Sequence, residues 1–417
     1  MPARCILAVL RIATVAAAIL LAGAAVADVL FDLDELAFRT AVAARDGPPG
    51  QSRTLAIVHL SIFDAANAIE KRYAPYRPQP APPAGASADA AALGAGCAAL
   101  AALYPGQQPG IDKQCDEIAA TLPADSASRA SRRFGETVGQ AQVAARRDDG
   151  YNAPNRYRPV TAPGTFIVPA LPVGWDVAVM KPFAIGSPSQ FRPAPPPALA
   201  SERWARDYNE TRMLGARDSA ARTADQTAAA LFWAPSGPVI ALEMLRNAAA
   251  AAGPRISDRA RMLALAGIAG NDASIALFDA KYAYNFWRPI TAIRNGDRDG
   301  NDATERDAGW FSLVEAPPHP EYPCAHCTFV ASMGAIMESK LGSGPLTTPM
   351  TIKTPGASAA TAASRNFPRV ADIVNEVSNA RVWAGIHFRA STEAGIALGR
   401  DVAAYVLRTQ LLPSVAP

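Results

Sequence analysis

DRARMLALAGIAGNDASIALFDAKYAYNFWRP, residues 258–289, decides how this chain is built. It reads as one long helix over about 258–287, with breaks at Pro254 and Pro289. Its end is basic. Lys281 and Arg288 stand seven residues apart, nearly two turns, so both are expected on one helix face. Pro289 disfavours helical backbone in the residue before it, which puts Arg288 near the helix end. Two long cations can then converge beyond that end, although a single Lys/Arg pair is ordinarily a solvated face.

Outward from this stretch the pattern stays helical. Leu55, Val58, Ile62, Ala65 and Ile69 follow the three-and-four spacing of an apolar helix face. Further helices are expected over 88–103, 111–121, 126–147, 201–214, 221–233, 240–251, 325–341, 368–380 and 393–411. From 151 to 197 Pro and Gly interrupt the pattern, which predicts a long loop with a short strand or hairpin. Structureless loops of this length are uncommon and often functional; this one either walls a pocket or wraps a bundle. An all-α fold of packed helical bundles follows.

The N-terminus reads as an address. Arg4 and Arg11 precede an apolar run over 12–22, and Ala25-Val26-Ala27 supplies a cleavage site before Asp28. Residues 1–27 are thus expected to be a signal peptide, and the protein exported, periplasmic or secreted. No later stretch is read as a membrane span. With 40 Lys+Arg against 37 Asp+Glu there is no nucleic-acid footprint. In an oxidising compartment the even set Cys97, Cys115, Cys324 and Cys327 can pair; Cys97 with Cys115 is a plausible staple between neighbouring helices.

Only four histidines occur, and two further segments concentrate them with basic groups. Pro318-His319-Pro-Glu-Tyr-Pro-Cys324-Ala325-His326-Cys327 holds an extended approach to a helix that starts near Cys324. The first N–H groups of that helix are unpaired and form a natural oxyanion site. His326, Val330, Met333, Met337 and Leu341 make one stripe, so His326 faces inward. Arg381-Val-Trp-Ala-Gly385-Ile-His387 is the third segment. A straight helix would hold Arg381 and His387 about 120° apart in azimuth. They share a site only if the helix breaks, and Gly385 is the candidate for that break.

Together the order is Lys-x6-Arg-Pro, Pro-x-x-His, Arg-x5-His. This resembles the signature of the type 2 phosphatidic acid phosphatase superfamily, and in particular its vanadium-dependent haloperoxidase-like branch. AIVHLSIFDAAN (56–67), YNETRMLG (208–215), RTADQT (222–227), FWRPITAIR (286–294) and GIHFR (385–389) strengthen the resemblance to that branch. The resemblance implies a vanadium chloroperoxidase-like fold of two four-helix bundles. Their expected extents are 28–250 and 251–417, the second carrying the site. It implies vanadate, or phosphate at the same place, held by Lys281, Arg288 and Arg381 with donors at Cys324 and Ala325. His387 would be the metal ligand, or a phosphohistidine in a phosphatase, and His326 the acid/base. Lys281 would polarise peroxide, and His319 would stand beside the metal and favour bromide or iodide. The partners implied are hydrogen peroxide, a halide and a small organic acceptor.

Two departures bear on activity. Many relatives read Pro-Ser-Gly-His where this chain has Pro323-Cys324-Ala325-His326, and a thiol donates weakly. Oxidation to a Cys324–Cys327 disulfide would remove that donor. Many relatives also carry Asp four residues after the last His, where Ser391 stands here. Three readings follow: a haloperoxidase, a phosphatase or phosphotransferase, and a redox-regulated or inactive scaffold built on Cys324-x-x-Cys327.

Overall fold

The computed structural model describes residues 28–167, 171–235, 237–353 and 364–414. The signal-peptide reading of residues 1–27 therefore lies outside the described residues. In chain order the helices are α1 (Val29–Ala43), α2 (Pro48–Glu70), α3 (Ala88–Leu103), α4 (Gln108–Ala119), α5 (Ser126–Ala145), α6 (Trp175–Val179) and α7 (Glu202–Leu214). They continue with α8 (Ala224–Phe232), α9 (Gly237–Ala250), α10 (Ile256–Tyr284), α11 (Pro289–Arg294), α12 (Ala325–Leu341), α13 (Val370–Trp383) and α14 (Arg389–Thr409). One antiparallel hairpin, β1 (Met350–Lys353) with β2 (Ser364–Phe367), pairs Met350 with Phe367. The fold is all-α apart from this hairpin among the described residues.

Side-chain caps explain where several helices begin. Asp28, Ser87, Asp125 and Ser201 each accept a first-turn N–H, and Thr223 with Gln226 closes a capping box. Helix α1 is not among those read from the pattern above; it buries Leu30, Leu33, Leu36 and Ala37 on one face.

Helix α10 is the axle. It packs against α2 on one side and against α12 and α14 on the other. One continuous core runs from Leu33 and Phe63 through Leu263 and Ile268 to Met333, Val374 and Val402, so it crosses the expected boundary at 250. The sequence reading found no span-like stretch beyond the N-terminus, and this is corrected. By length and hydropathy α10 could cross a bilayer, but most of its apolar window is buried inside the fold.

The disulfide Cys97–Cys115 ties α3 to α4 across a sequence separation of 18. Among its described residues the segment over 151–197 holds the short helix α6 and one bridge, Thr165 to Phe286, and no hairpin. It is pinned to the axle: the Asp272 carboxylate of α10 accepts the N–H groups of Phe183, Ala184 and Ile185 at 2.6, 2.7 and 2.9 Å. Burial raises the pKa of Asp272 to about 6 against the pull of those three bonds.

Candidate active site

Lys281 and Arg288 do not share a helix face. Asn285 adopts the left-handed conformation (φ 47°) and ends α10 at Tyr284. Arg288 is extended, as the following proline requires, and begins α11 with Pro289 in its first turn. The break, not helical periodicity, turns Arg288 inward.

Lys281 is fully buried, and its ammonium donates to three carbonyls: Pro320 at 2.7 Å, Glu321 at 2.8 Å and Pro323 at 2.6 Å. All three N–H groups are spent. In this arrangement Lys281 braces the proline-rich segment and presents no donor to an anion, unlike the expectation above. Burial, then the charge of Arg288, drives its pKa well below the usual lysine value.

Arg288 fixes two imidazoles at once. Its Nε donates to the His319 carbonyl (3.0 Å) and its Nη2 to His319 Nδ1 (2.9 Å). Its Nη1 donates to the Ile386 carbonyl (2.9 Å) and approaches His387 Nε2 at 3.3 Å. His319 is therefore a buried acceptor at Nδ1, packed edge-on against Phe278 at 5.4 Å, and not a solvent-facing loop residue.

His387 is 1% exposed. Gly385, at φ 76°, follows the end of α13 and makes the break expected there; a Cβ at this position would stand 2.3 Å from the Gly215 carbonyl oxygen. The His387 ring then donates through Nδ1 to Glu321 Oε1 at 2.8 Å, and the same oxygen accepts the Phe388 N–H at 3.1 Å. Ser391 Oγ lies 3.3 Å from Nδ1. The orienting carboxylate missing from position 391 thus comes from another segment. Glu321 was overlooked in the sequence; its signal was a lone acid within a run crowded by histidine and facing three cations. Burial lifts its pKa to about 7, while Arg288 and Lys281 hold it down. With Nδ1 committed as donor, Nε2 is the acceptor end of the ring, and Arg288 Nη1 lies 3.3 Å from it.

Arg381, in the last turn of α13, is 2% exposed. One Nη1 N–H bonds to the Trp233 carbonyl at 2.7 Å, and Nε is buried without a partner. No carboxylate pairs with it among the described residues. Burial, then the charge of Arg288, lowers its pKa to about 9. A buried guanidinium with most of its donors unspent is costly unless an anion completes it.

His326 stands at the start of α12 and donates from Nε2 to the Pro235 carbonyl at 2.9 Å. Burial and the Arg381 charge lower its pKa to about 3. Cys324 and Cys327 form a disulfide, and the Cys324 N–H bonds to the Ser391 carbonyl, so Cys324 is lost as an anion donor. Both cysteines are fully buried, which denies a redox role the access it requires. The first-turn N–H groups of Ala325 and His326 remain without intrahelical acceptors. Helices α12 and α14 approach closely there because Gly395 leaves room: a Cβ on it would lie 2.7 Å from the Cys324 carbonyl oxygen.

His319, Ala325, His326, Arg381 and His387 all line a cavity of about 470 Å³, and its other walls include Tyr151, Val173, Gly174, Asp176 and Val177. The long segment therefore walls the pocket. The other motif stretches hold its frame. Glu210 pairs with Arg389 at 2.6 Å, Asp207 accepts the Ala390 N–H at 2.7 Å, and Arg222 bonds the carbonyls of Leu214, Ala216 and Trp383.

Residues 261–412, which hold Lys281, Arg288, Arg381 and the imidazoles of His319, His326 and His387, match the family described as the VCPO second helical-bundle domain. Over this stretch the chain is similar to the vanadium haloperoxidases. The vanadium chloroperoxidase of Curvularia inaequalis is 27% identical over 370 residues, covering 68% of this chain and 59% of that protein. The haloperoxidase-like fold extends over nearly all the chain. A structure titled as the first bacterial vanadium-dependent iodoperoxidase superposes with a TM-score of 0.77 at 20% identity, covering 93% of this chain and 98% of its own. A holo-type bacterial vanadium-dependent chloroperoxidase gives 0.70 at 19%, covering 89% and 94%.

The haloperoxidase-like site fits a tetrahedral oxyanion. It offers an imidazole nitrogen with its other nitrogen anchored, the orphaned Nε of Arg381, and two helix-start N–H groups. Glu321 is the only carboxylate in contact with these groups among the described residues, against three buried cations.

Proposed function

We propose that the protein is an exported vanadate-dependent haloperoxidase that oxidises bromide or iodide with hydrogen peroxide. The net reaction with bromide is H2O2 + Br⁻ + H⁺ → HOBr + H2O. The observation that carries the reading is Arg381, a buried guanidinium with one N–H spent on protein, beside an imidazole whose Nδ1 is held by Glu321.

Vanadate, when bound, supplies a Lewis-acid centre at which peroxide is activated for attack by halide. Arg381, Arg288 and the N–H groups of Ala325 and His326 would hold it, with His387 Nε2 as the candidate ligand. His326 moves the proton. In the anion-free site burial, then the Arg381 charge, keeps it neutral, and a multiply charged oxyanion beside it would offset that charge and favour uptake of a proton. Lys281 acts at one remove, since its three bonds fix the backbone of Pro320, Glu321 and Pro323. His319, buried and held as an acceptor at Nδ1, favours the larger halides. Export agrees with the two disulfides.

The test is peroxide consumption by vanadate-loaded protein with and without bromide. Consumption that needs vanadate and bromide and is lost in His387→Ala is the expected result. Phosphate release from a generic ester with no peroxide consumption would replace this reading by that of a phosphatase.

A further inference from the structure

The cavity has a second polar feature that the anion site does not use. Asp176, on α6, lines it, yet no hydrogen bond or ion pair engages its carboxylate among the described residues. Val173, Val177, Leu277 and Phe278 give the same cavity apolar surface. His319 meets Phe278 edge-on, and the Phe278 ring fills the space over Gly174, where a Cβ would stand 2.2 Å from the ring. The Val173 N–H bonds to the Pro318 carbonyl at 2.9 Å, which fixes this wall to the segment that carries His319.

Of the aromatic residues near Asp176, Tyr151 lines the cavity with it. Trp175 packs edge-on to Tyr282 at 5.0 Å, and Tyr157 to the same ring at 5.9 Å. Burial raises the pKa values of Tyr151 and Tyr282, with the charge of Asp46 adding at Tyr151, that of Tyr157 at Tyr282 and that of Asp176 at both. The nearby cation, Arg53, lies 4.9 Å from the centre of the Tyr151 ring, but its Nε is already paired with Asp149 at 2.9 Å. Asp46 adds negative charge on the far side of Tyr151 and accepts the Tyr104 hydroxyl at 2.5 Å. The lining therefore combines a guanidinium and imidazoles with a carboxylate that has no partner among the described residues, and Val173, Leu277, Phe278 and Phe329 give it apolar surface. A volume of about 470 Å³ accommodates a one-ring organic molecule.

We propose that Asp176 is a specificity residue that binds the ammonium group of a cationic phenol or similar electron-rich aromatic amine, so that the ring is halogenated inside the cavity. This rests on the haloperoxidase reading for its chemistry but not for its binding. The step balances as ArH + HOBr → ArBr + H2O, with the hypobromous acid made at the anion site. An apolar wall excludes water from its path, and the ammonium–carboxylate pair sets which ring carbon faces that site.

The experiment compares tyramine, p-cresol and 4-hydroxyphenylacetate as acceptors for wild type and Asp176→Asn, with vanadate, bromide and peroxide. Wild type should show the lowest KM for tyramine. Asp176→Asn should raise that KM about tenfold, leave p-cresol unchanged and leave bromide-dependent peroxide consumption without acceptor unchanged. Equal rates for all three phenols in both proteins would mean that hypobromous acid escapes before reacting, and would overturn the proposal. Calorimetric titration of tyramine into vanadate-free protein reads the binding separately. Heat lost in Asp176→Asn supports the site even if no peroxide is consumed, and identical or absent binding in the two proteins overturns it.

Discussion

Replacing Arg381 with Gln is expected to weaken vanadate binding about a hundredfold or more while raising the thermal stability of the anion-free protein. Loss of a buried charge-assisted donor to a bound anion costs on the order of 2–5 kcal/mol, which sets the first number. The second effect has the opposite sign for a physical reason. Arg381 is 2% exposed, has no carboxylate partner and leaves its Nε unpaired, so without an anion it is a buried charge that the fold must tolerate. Gln keeps one amide to donate to the Trp233 carbonyl and removes the charge. Equilibrium dialysis against orthovanadate and a melting curve without it measure the two effects. A variant that melts lower and binds vanadate as before would show that Arg381 is an ordinary structural arginine.

Glu321→Gln should separate two kinds of anion. The carboxylate accepts from His387 Nδ1 and from the Phe388 N–H, and Gln can keep both contacts through its carbonyl oxygen. What it cannot keep is the negative charge that makes Nε2 a strong ligand. Partners of this kind change metal affinity by roughly 10–100-fold, so vanadate should weaken by that order. Sulfate, which does not bond the imidazole, should bind as well or better, because the site loses its one negative charge and keeps three buried cations. A purely structural role for Glu321 would weaken both anions equally.

The reach of sequence reasoning can be judged residue by residue. The turn at Gly385 was legible because two groups six residues apart cannot share a site on a straight helix, and its φ of 76° makes the break. The extended backbone at Arg288 followed from Pro289. The joint use of Lys281 and Arg288 did not survive, because Asn285 ends the helix in a left-handed conformation that no periodicity announces. Lys281 was misjudged for a related reason: three carbonyls that converge on its ammonium come from a proline-rich turn whose shape is tertiary. The role of Glu321 did not follow from its lone acidic signal, because its partner lies 66 residues away and only the packed fold brings the two within 2.8 Å. Asp176 sits in a segment read only as a long loop, and its place in the cavity wall depends on Asp272 pinning that segment to α10.

Soaking crystals in orthovanadate gives the most direct test. Density joined to His387 Nε2, with its oxygens in reach of the Arg381 guanidinium and of the main chain at Ala325 and His326, is the predicted result. At saturating vanadate, an empty cavity or an anion bound away from His387 would contradict the account.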